Sequence, residues 1–244
     1  MWGDNGKECS FFSILPALYA IRQYADGNFD EGEIARGFER ATGISYADFS
    51  LLELPNATRG TVAGTIAENP GKSLLYSDCF LGIFDRAAEN EGKIPFEEYA
   101  GKLKDAAARA GEFSYIFECL SSLCSVMELK ADLGIRTRAA YRSGDREAVA
   151  ALLPDYRETI SRLEIFYKRF KTLWFRENKP FGWEVHDARL GGLMMRIRSC
   201  EERLSEYAEG RISTIEELEE EILPFGEQGL EYNIYRNIIS RSDS

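Results

Sequence analysis

Residues 69–73 of this 244-residue chain read Asn69-Pro70-Gly71-Lys72-Ser73, ending in the triplet with which backbone amides and an ammonium cradle a phosphate. A phosphate loop also needs a glycine five residues before Gly71, where Ile66 stands, and no convincing strand leads in. A turn is the expectation. Asp30-Glu31 is an adjacent carboxylate pair of the kind that divides acid and base work in hydrolases. It opens a predicted amphipathic helix, whose free amides and macrodipole stabilise negative charge there, so the pair reads as a helix start. The single histidine, His186, has no serine or cysteine beside it in a nucleophile motif and reads as a hydrogen-bonded interhelical residue. Asn56-Ala57-Thr58 matches a glycosylation acceptor, which matters only in a eukaryotic secretory protein.

Cys9, Cys79, Cys119, Cys124 and Cys200 form no Cys-x-x-Cys pair, and with one histidine the usual zinc ligand sets cannot be assembled. No metal, no cofactor and no catalytic residue is assigned. The odd cysteine count favours free, mostly buried thiols in a reducing compartment, and the expected location is cytoplasmic. The formal net charge of -11, from 30 basic and 41 acidic residues spread along the chain, makes nucleic acid and anionic membranes poor partners. No apolar stretch is long enough to span a bilayer, and the first twenty residues lack a basic segment followed by an apolar one.

The elements that must position these groups are helical. Ser13 to Ala25 carries apolar residues at helical spacing and stops at Asp26-Gly27. Asn28 is placed to cap a second helix, with Ile34, Phe38 and Ala41 on one face and Gly43 at its end. Ser45 and Asp48 mark a short third helix cut off by Pro55. From about 56 to 93 glycine and proline punctuate apolar clusters such as Phe80-Leu81-Gly82-Ile83-Phe84, an irregular segment too apolar to stay solvated. Beyond Pro95 helices are predicted at 95–109, 112–141, 145–153, 155–177, 181–208 and 214–223, the last opened by the capping-box pattern Ser213-Thr214-Ile215-Glu216. The fold class is all-α, a multi-helix bundle with one irregular segment.

Two strings remain. Glu177-Asn178-Lys179-Pro180-Phe181-Gly182-Trp183-Glu184-Val185, followed by Asp187-Ala188-Arg189-Leu190-Gly191-Gly192-Leu193, restarts a helix after a tight corner. Its glycine pair would admit a close approach by a helix or a ligand, and Asp187 with Arg189 could form a buried pair or anchor the corner. At the other end, Trp2-Gly3-Asp4-Asn5-Gly6-Lys7-Glu8 reads as a strand-end loop at a binding site.

Both strings resemble the C-terminal part of bacterial β-N-acetylhexosaminidases of glycoside hydrolase family 20. The similarity runs through Trp2 to Tyr19, Gly43 to Asn56, Leu74 to Asp85, Arg136-Thr137-Arg138 and Trp174 to Gly210. In that family a Trp-x-Asp segment closes the last strand of a (β/α)8 barrel, and the Glu-Asn-Lys-Pro-Phe-Gly string belongs to a helical C-terminal domain. The resemblance implies that residues 1–12 are the end of the last barrel strand and its loop, and 13–244 an all-helical domain. It further implies a parent enzyme removing terminal N-acetylhexosamines by substrate-assisted retention, whose Asp-Glu catalytic pair cannot be placed in this sequence. Trp2 and Asp4 match the family's sugar-contacting positions in the parent enzyme, with Glu8 a weaker third. The implied partners are the catalytic barrel of the same polypeptide, the N-acetylhexosaminide and a second copy in a homodimer. The chain by itself is read as non-catalytic. A stand-alone helical interaction module and a small-ligand sensor are the other classes left open.

Overall fold

A computed structural model describes residues 10–57, 70–82 and 84–222. Among them there is no strand, and the all-α expectation holds.

Ser10 caps a 3-10 turn (Phe11–Ile14) that runs into α1 (Leu15–Ala25), with Pro16 in the first turn where its missing N–H costs nothing. α2 (Glu31–Thr42) starts on Asp30, whose carboxylate accepts from the Glu33 amide at 2.8 Å, while Asn28 accepts from the Asp30 amide instead of capping the helix itself. Gly43 ends it at φ 73°, a left-handed conformation that a Cβ would strain. Tyr19 lies directly on Gly37, so α1 and α2 pack at a distance only glycine permits. α3 (Tyr46–Ser50) is capped by Ser45 and passes into a 3-10 turn over Leu51–Asn56 that contains Pro55.

The segment 56–93 is less irregular than its composition suggests, since it holds α4 (Pro70–Tyr76) and α5 (Asp85–Glu91). Leu74, Leu75, Tyr76, Cys79, Phe80 and Phe84 are all buried, which accounts for an apolar run with little helical period: it is core on every side.

α6 (Phe96–Ala107), α7 (Ser114–Lys130), α8 (Leu133–Arg142), α9 (Arg146–Glu177) and α10 (Trp183–Ala208) make the bundle. Cross-helix bonds give its register. Tyr115 reaches Glu177, Arg169 the Glu118 carbonyl and Arg162 the Ser125 carbonyl, so α7 runs antiparallel to α9. Tyr167 bonds Asp187 and Arg157 bonds Glu201, so α10 folds back along α9. Phe117, Met127, Val149, Tyr156, Leu163, Leu193, Ile197 and Leu204 fill the space between.

Three helix boundaries differ from the periodicity. The stretch 112–141 breaks at Ala131-Asp132, because Arg136 bonds the Asp132 carboxylate, the Leu129 carbonyl and Asp155, closing the end of α7 and fastening the start of α8 to α9. The stretches 145–153 and 155–177 are one helix. Pro154 and Ala150, whose carbonyl loses its bond, are both exposed to water, while the buried stripe runs unbroken from Val149 through Tyr156 to Ile160. The capping box at Ser213 does not form. The Ile215 amide donates to the Tyr141 hydroxyl, and the described part of this helix, α11, is only Glu216–Glu219. Cys79, Cys119, Cys124 and Cys200 are free and buried, as expected, and Cys9 lies outside the described residues. No helix among the described residues is long and apolar enough to cross a membrane.

Candidate functional site

The corner between α9 and α10 is where the chemistry-bearing residues converge. Glu177, the last residue of α9, accepts from Ser10 Oγ at 2.6 Å, from the Phe11 amide at 2.9 Å and from Tyr115 Oη at 2.8 Å. The Phe11 amide stands at the start of its 3-10 turn, where no carbonyl of the turn can accept from it, so the charge-assisted bond to Glu177 fixes both position and direction of the entering chain. Arg176 lies over the Tyr115 ring at 4.1 Å, and burial together with the Glu177 bond holds the Tyr115 phenol well above its usual range.

After Glu177 the Asn178 amide closes the helix on the Trp174 carbonyl, the Trp174 indole bonds the Lys179 carbonyl, and Gly182 turns at φ 94° against the Trp174 ring. The Gly182 amide is held by Glu184. Here the Lys-Pro-Phe-Gly string works as a corner, and only glycine allows the left-handed turn this close to an indole. Asp187 is exposed and accepts from Tyr167 at 2.6 Å, which makes it an anchor of the corner rather than half of a buried pair with Arg189.

His186 is buried within an aromatic shell, its ring 4.8 Å from Phe170, 4.9 Å from Trp174 and 5.4 Å from Trp183. It borders a cavity of about 230 Å³ walled mainly by Ile116, Leu120, Leu123, Phe166, Leu173 and Leu190, with the buried Ser10 and Lys72 also lining it. Cys119 borders the same space, a neighbour to His186 that the sequence did not reveal. Burial pushes that thiol up to about 12, so it stays protonated and is no nucleophile. The cavity is smaller than the ~300–1,000 Å³ of ordinary ligand pockets.

The Gly-Lys-Ser triplet opens a helix rather than a turn. A Cβ on Gly71 would meet the Pro55 carbonyl at 2.5 Å, and the Gly71 amide is already bonded to Asn56, so its glycine serves packing and its amide is not offered to a phosphate. Asp30 and Glu31 are exposed at the start of α2, as their helix-start reading required. Trp2, Asp4 and Glu8 lie outside the described residues. No group of acids, cysteines and histidine that could hold a metal occurs among the described residues.

A second constellation was missed at the sequence level. Asp78, in the loop between α4 and α5, accepts from Arg196 Nε at 2.6 Å and from the amides of Phe80 and Leu81. Burial alone would raise its carboxyl, but Arg196 and those amides outweigh it and leave Asp78 below the usual carboxylate range. Lys130, fully buried, donates to the Leu74 and Ser77 carbonyls, and Arg138 ties the Phe80 carbonyl to those of Leu218 and Glu220. Lys130 and Arg138 fall on the buried faces of α7 and α8 and Arg196 beside the buried stripe of α10, and a cation at such a position was the available signal.

Asp85 stands among them with its Oδ2 unpaired, pressed against Gly82 and close to Gly134. Burial pushes its carboxyl up to about 6, with Lys130 and Arg138 opposing and Glu89 and Asp78 adding to the rise. A carboxyl raised in the folded state holds a proton that the unfolded chain has released. Stability therefore falls as pH climbs from about 4 to 6. Asp85→Asn removes that fall and is expected to stabilise the protein by about 1–2 kcal/mol above pH 6, with no gain below pH 4. Chemical denaturation at pH 4 and pH 7.5 checks it, and an equal effect at both would refute it.

No curated protein matches the chain. A family model described as the glycoside hydrolase 20C C-terminal domain matches residues 47–234, from within α3 onward, and so spans the corner, the cavity walls and the Asp78 network. With more than three quarters of its length so matched, this chain belongs to the family of glycoside hydrolase 20C C-terminal domains.

Proposed function

We propose that this chain supports the catalytic barrel of a β-N-acetylhexosaminidase that precedes it in the same polypeptide, in the cytoplasm, and that it does not catalyse alone. Residues 1–12 are then the end of the last barrel strand with its loop. Family membership supports a parent glycoside hydrolase. The observation that carries the supporting role is the Glu177 clamp. The corner at the end of α9 takes hold of Ser10 and Phe11, the first described residues after the Trp2-to-Glu8 run. A domain that grips a strand-end loop this close to its sugar-contacting residues restrains where those residues point, and misplacement of about 1 Å is enough to slow a reaction substantially.

Trp2 and Asp4 are two apart, so in an extended segment they share a face and can meet one ligand. The indole offers an apolar wall and the carboxylate accepts from sugar hydroxyls. In the parent enzyme Asp4→Ala is expected to cost roughly 1.5–3 kcal/mol of transition-state binding, read as kcat/KM on a chromogenic N-acetylglucosaminide. The 244-residue chain should leave that substrate unhydrolysed. Unchanged kcat/KM in a folded Trp2→Ala, Asp4→Ala double variant would remove the assignment.

A further inference from the structure

α2 carries the charge that a solvent-facing stripe normally has, its exposed positions including Glu31, Glu33, Arg36, Glu39 and Arg40. α1, packed beside it, does not. Leu15 and Tyr19 pack on the core and Ala20 is buried, which fixes the inward side of α1. At about 100° per residue, Ile14, Ala17, Leu18, Ile21, Tyr24 and Ala25 fall on the opposite side as an unbroken apolar stripe. Ile21 is 62% and Tyr24 43% accessible, and Phe29, 71% accessible, stacks on the Tyr24 ring at 5.5 Å. The one charged residue of the helix, Arg22, lies on a flank and pairs with Asp26 at 3.1 Å.

A helix that is apolar on both sides belongs between two packed layers, and among the described residues the bundle supplies one of them. We propose that α1 is shared by two domains, its outward stripe packing on the parallel strands of the preceding barrel as the helix that follows their last strand. This rests on the reading, given above, that a barrel precedes the chain.

The place of α1 in the chain selects this occupant. In a (β/α)8 barrel each strand is followed by a helix, and those helices form the ring outside the sheet. With residues 1–12 as the end of the last strand and its loop, α1 is the first α-helix after that strand. From Asp4 to Ser10 an extended chain covers at most about 20 Å, and the stripe begins at Ile14, just beyond. The 11 residues of α1 span about 16 Å, close to the roughly 17–20 Å of an ordinary strand. Parallel strands covered by helices present Val, Ile and Leu to them, which is the chemistry the stripe matches. α1 and α2 also lie before residue 47, where the match to the C-terminal domain family begins, so they stand between that domain and the sequence preceding it. A second copy is the poorer occupant, because a domain joined through a short segment competes at an effective concentration of about millimolar.

The amides of α1 should exchange with solvent at least about tenfold more slowly in the parent enzyme than in the 244-residue chain, while the buried amides of α9 are equally slow in both. Ile21→Glu should shift the Tm of the 244-residue chain by no more than about 2 °C, because it replaces an exposed side chain. In the parent enzyme it should lower Tm by more than about 5 °C, since it buries an unpaired carboxylate. Ile21→Ala, which buries no charge, should show the same contrast at smaller size. Equal α1 exchange in the two proteins, or equal harm from Ile21→Glu in both, would overturn the proposal. So would a 244-residue dimer that Ile21→Glu converts to a monomer while α1 gains no protection in the parent enzyme, an outcome that gives the face to a second copy. The hexosaminidase reading fails separately: a parent that protects α1 yet leaves the chromogenic N-acetylglucosaminide uncleaved keeps this interface and loses that activity.

Discussion

Asp78→Ala is expected to destabilise the protein by about 3–5 kcal/mol, the usual cost of removing one partner from a buried ion pair. The side chain is 1% accessible and holds Arg196 as well as two backbone amides, so truncation strands two donors in the interior and leaves the part-buried Arg196 only the more distant Glu217 carboxylate, at 3.7 Å. The loss should appear as a lower denaturant midpoint with an unchanged slope. Its pH dependence has a definite sign. Because the folded carboxyl lies below its ordinary value of 3.8, its contribution is complete above that pH and is lost as pH falls through the lower folded value. The gap between parent and variant should therefore narrow on acidification, because acid removes the stabilisation that Asp78 provides, whereas at Asp85 acid removes a destabilisation. A gap below about 1 kcal/mol at pH 7 would show that the loop between α4 and α5 is not held through this pair.

Glu177→Ala is expected to cost about 3 kcal/mol, since one carboxylate serves three donors and hydrogen bonds to charged groups are worth roughly 1.5–3 kcal/mol each, here discounted for partial exposure. The damage should be local first. Amide exchange at Phe11 and Phe12 should quicken while the α7 and α9 core stays protected. The Tyr115 phenol, relieved of its carboxylate neighbour, should titrate closer to its ordinary value of 10 in ultraviolet difference spectra. If the proposed role holds, the same substitution in the parent enzyme should lower kcat/KM, because it releases Ser10 and Phe11, the residues that follow Trp2 and Asp4 in the chain. A variant that destabilises the bundle but leaves Phe11 and Phe12 exchange unchanged would dissociate Glu177 from the entering chain. Unchanged kcat/KM with Phe11 and Phe12 released would instead remove the functional role.

What the sequence determined by itself were the features set by local chemistry. The helical stripes of α7, α9 and α10, the Gly43 stop, the Ser45 cap and the corner at Gly182 all follow from spacing and backbone preference within a few residues. The family was legible for the same reason, because the string from Glu177 to Leu193 encodes a corner whose atoms mostly contact one another. Tertiary structure decided everything that depends on partners far away in the chain. Pro154 sits within one helix because the apolar stripe on both sides of it is buried while the proline faces water, and periodicity around a proline cannot weigh those two energies. Asp78 and Arg196 are 118 positions apart, as Glu177 is 166 from Phe11. A charged residue on an apolar face reads as an interruption until the opposite charge arrives from another helix, and only the packed bundle brings it there.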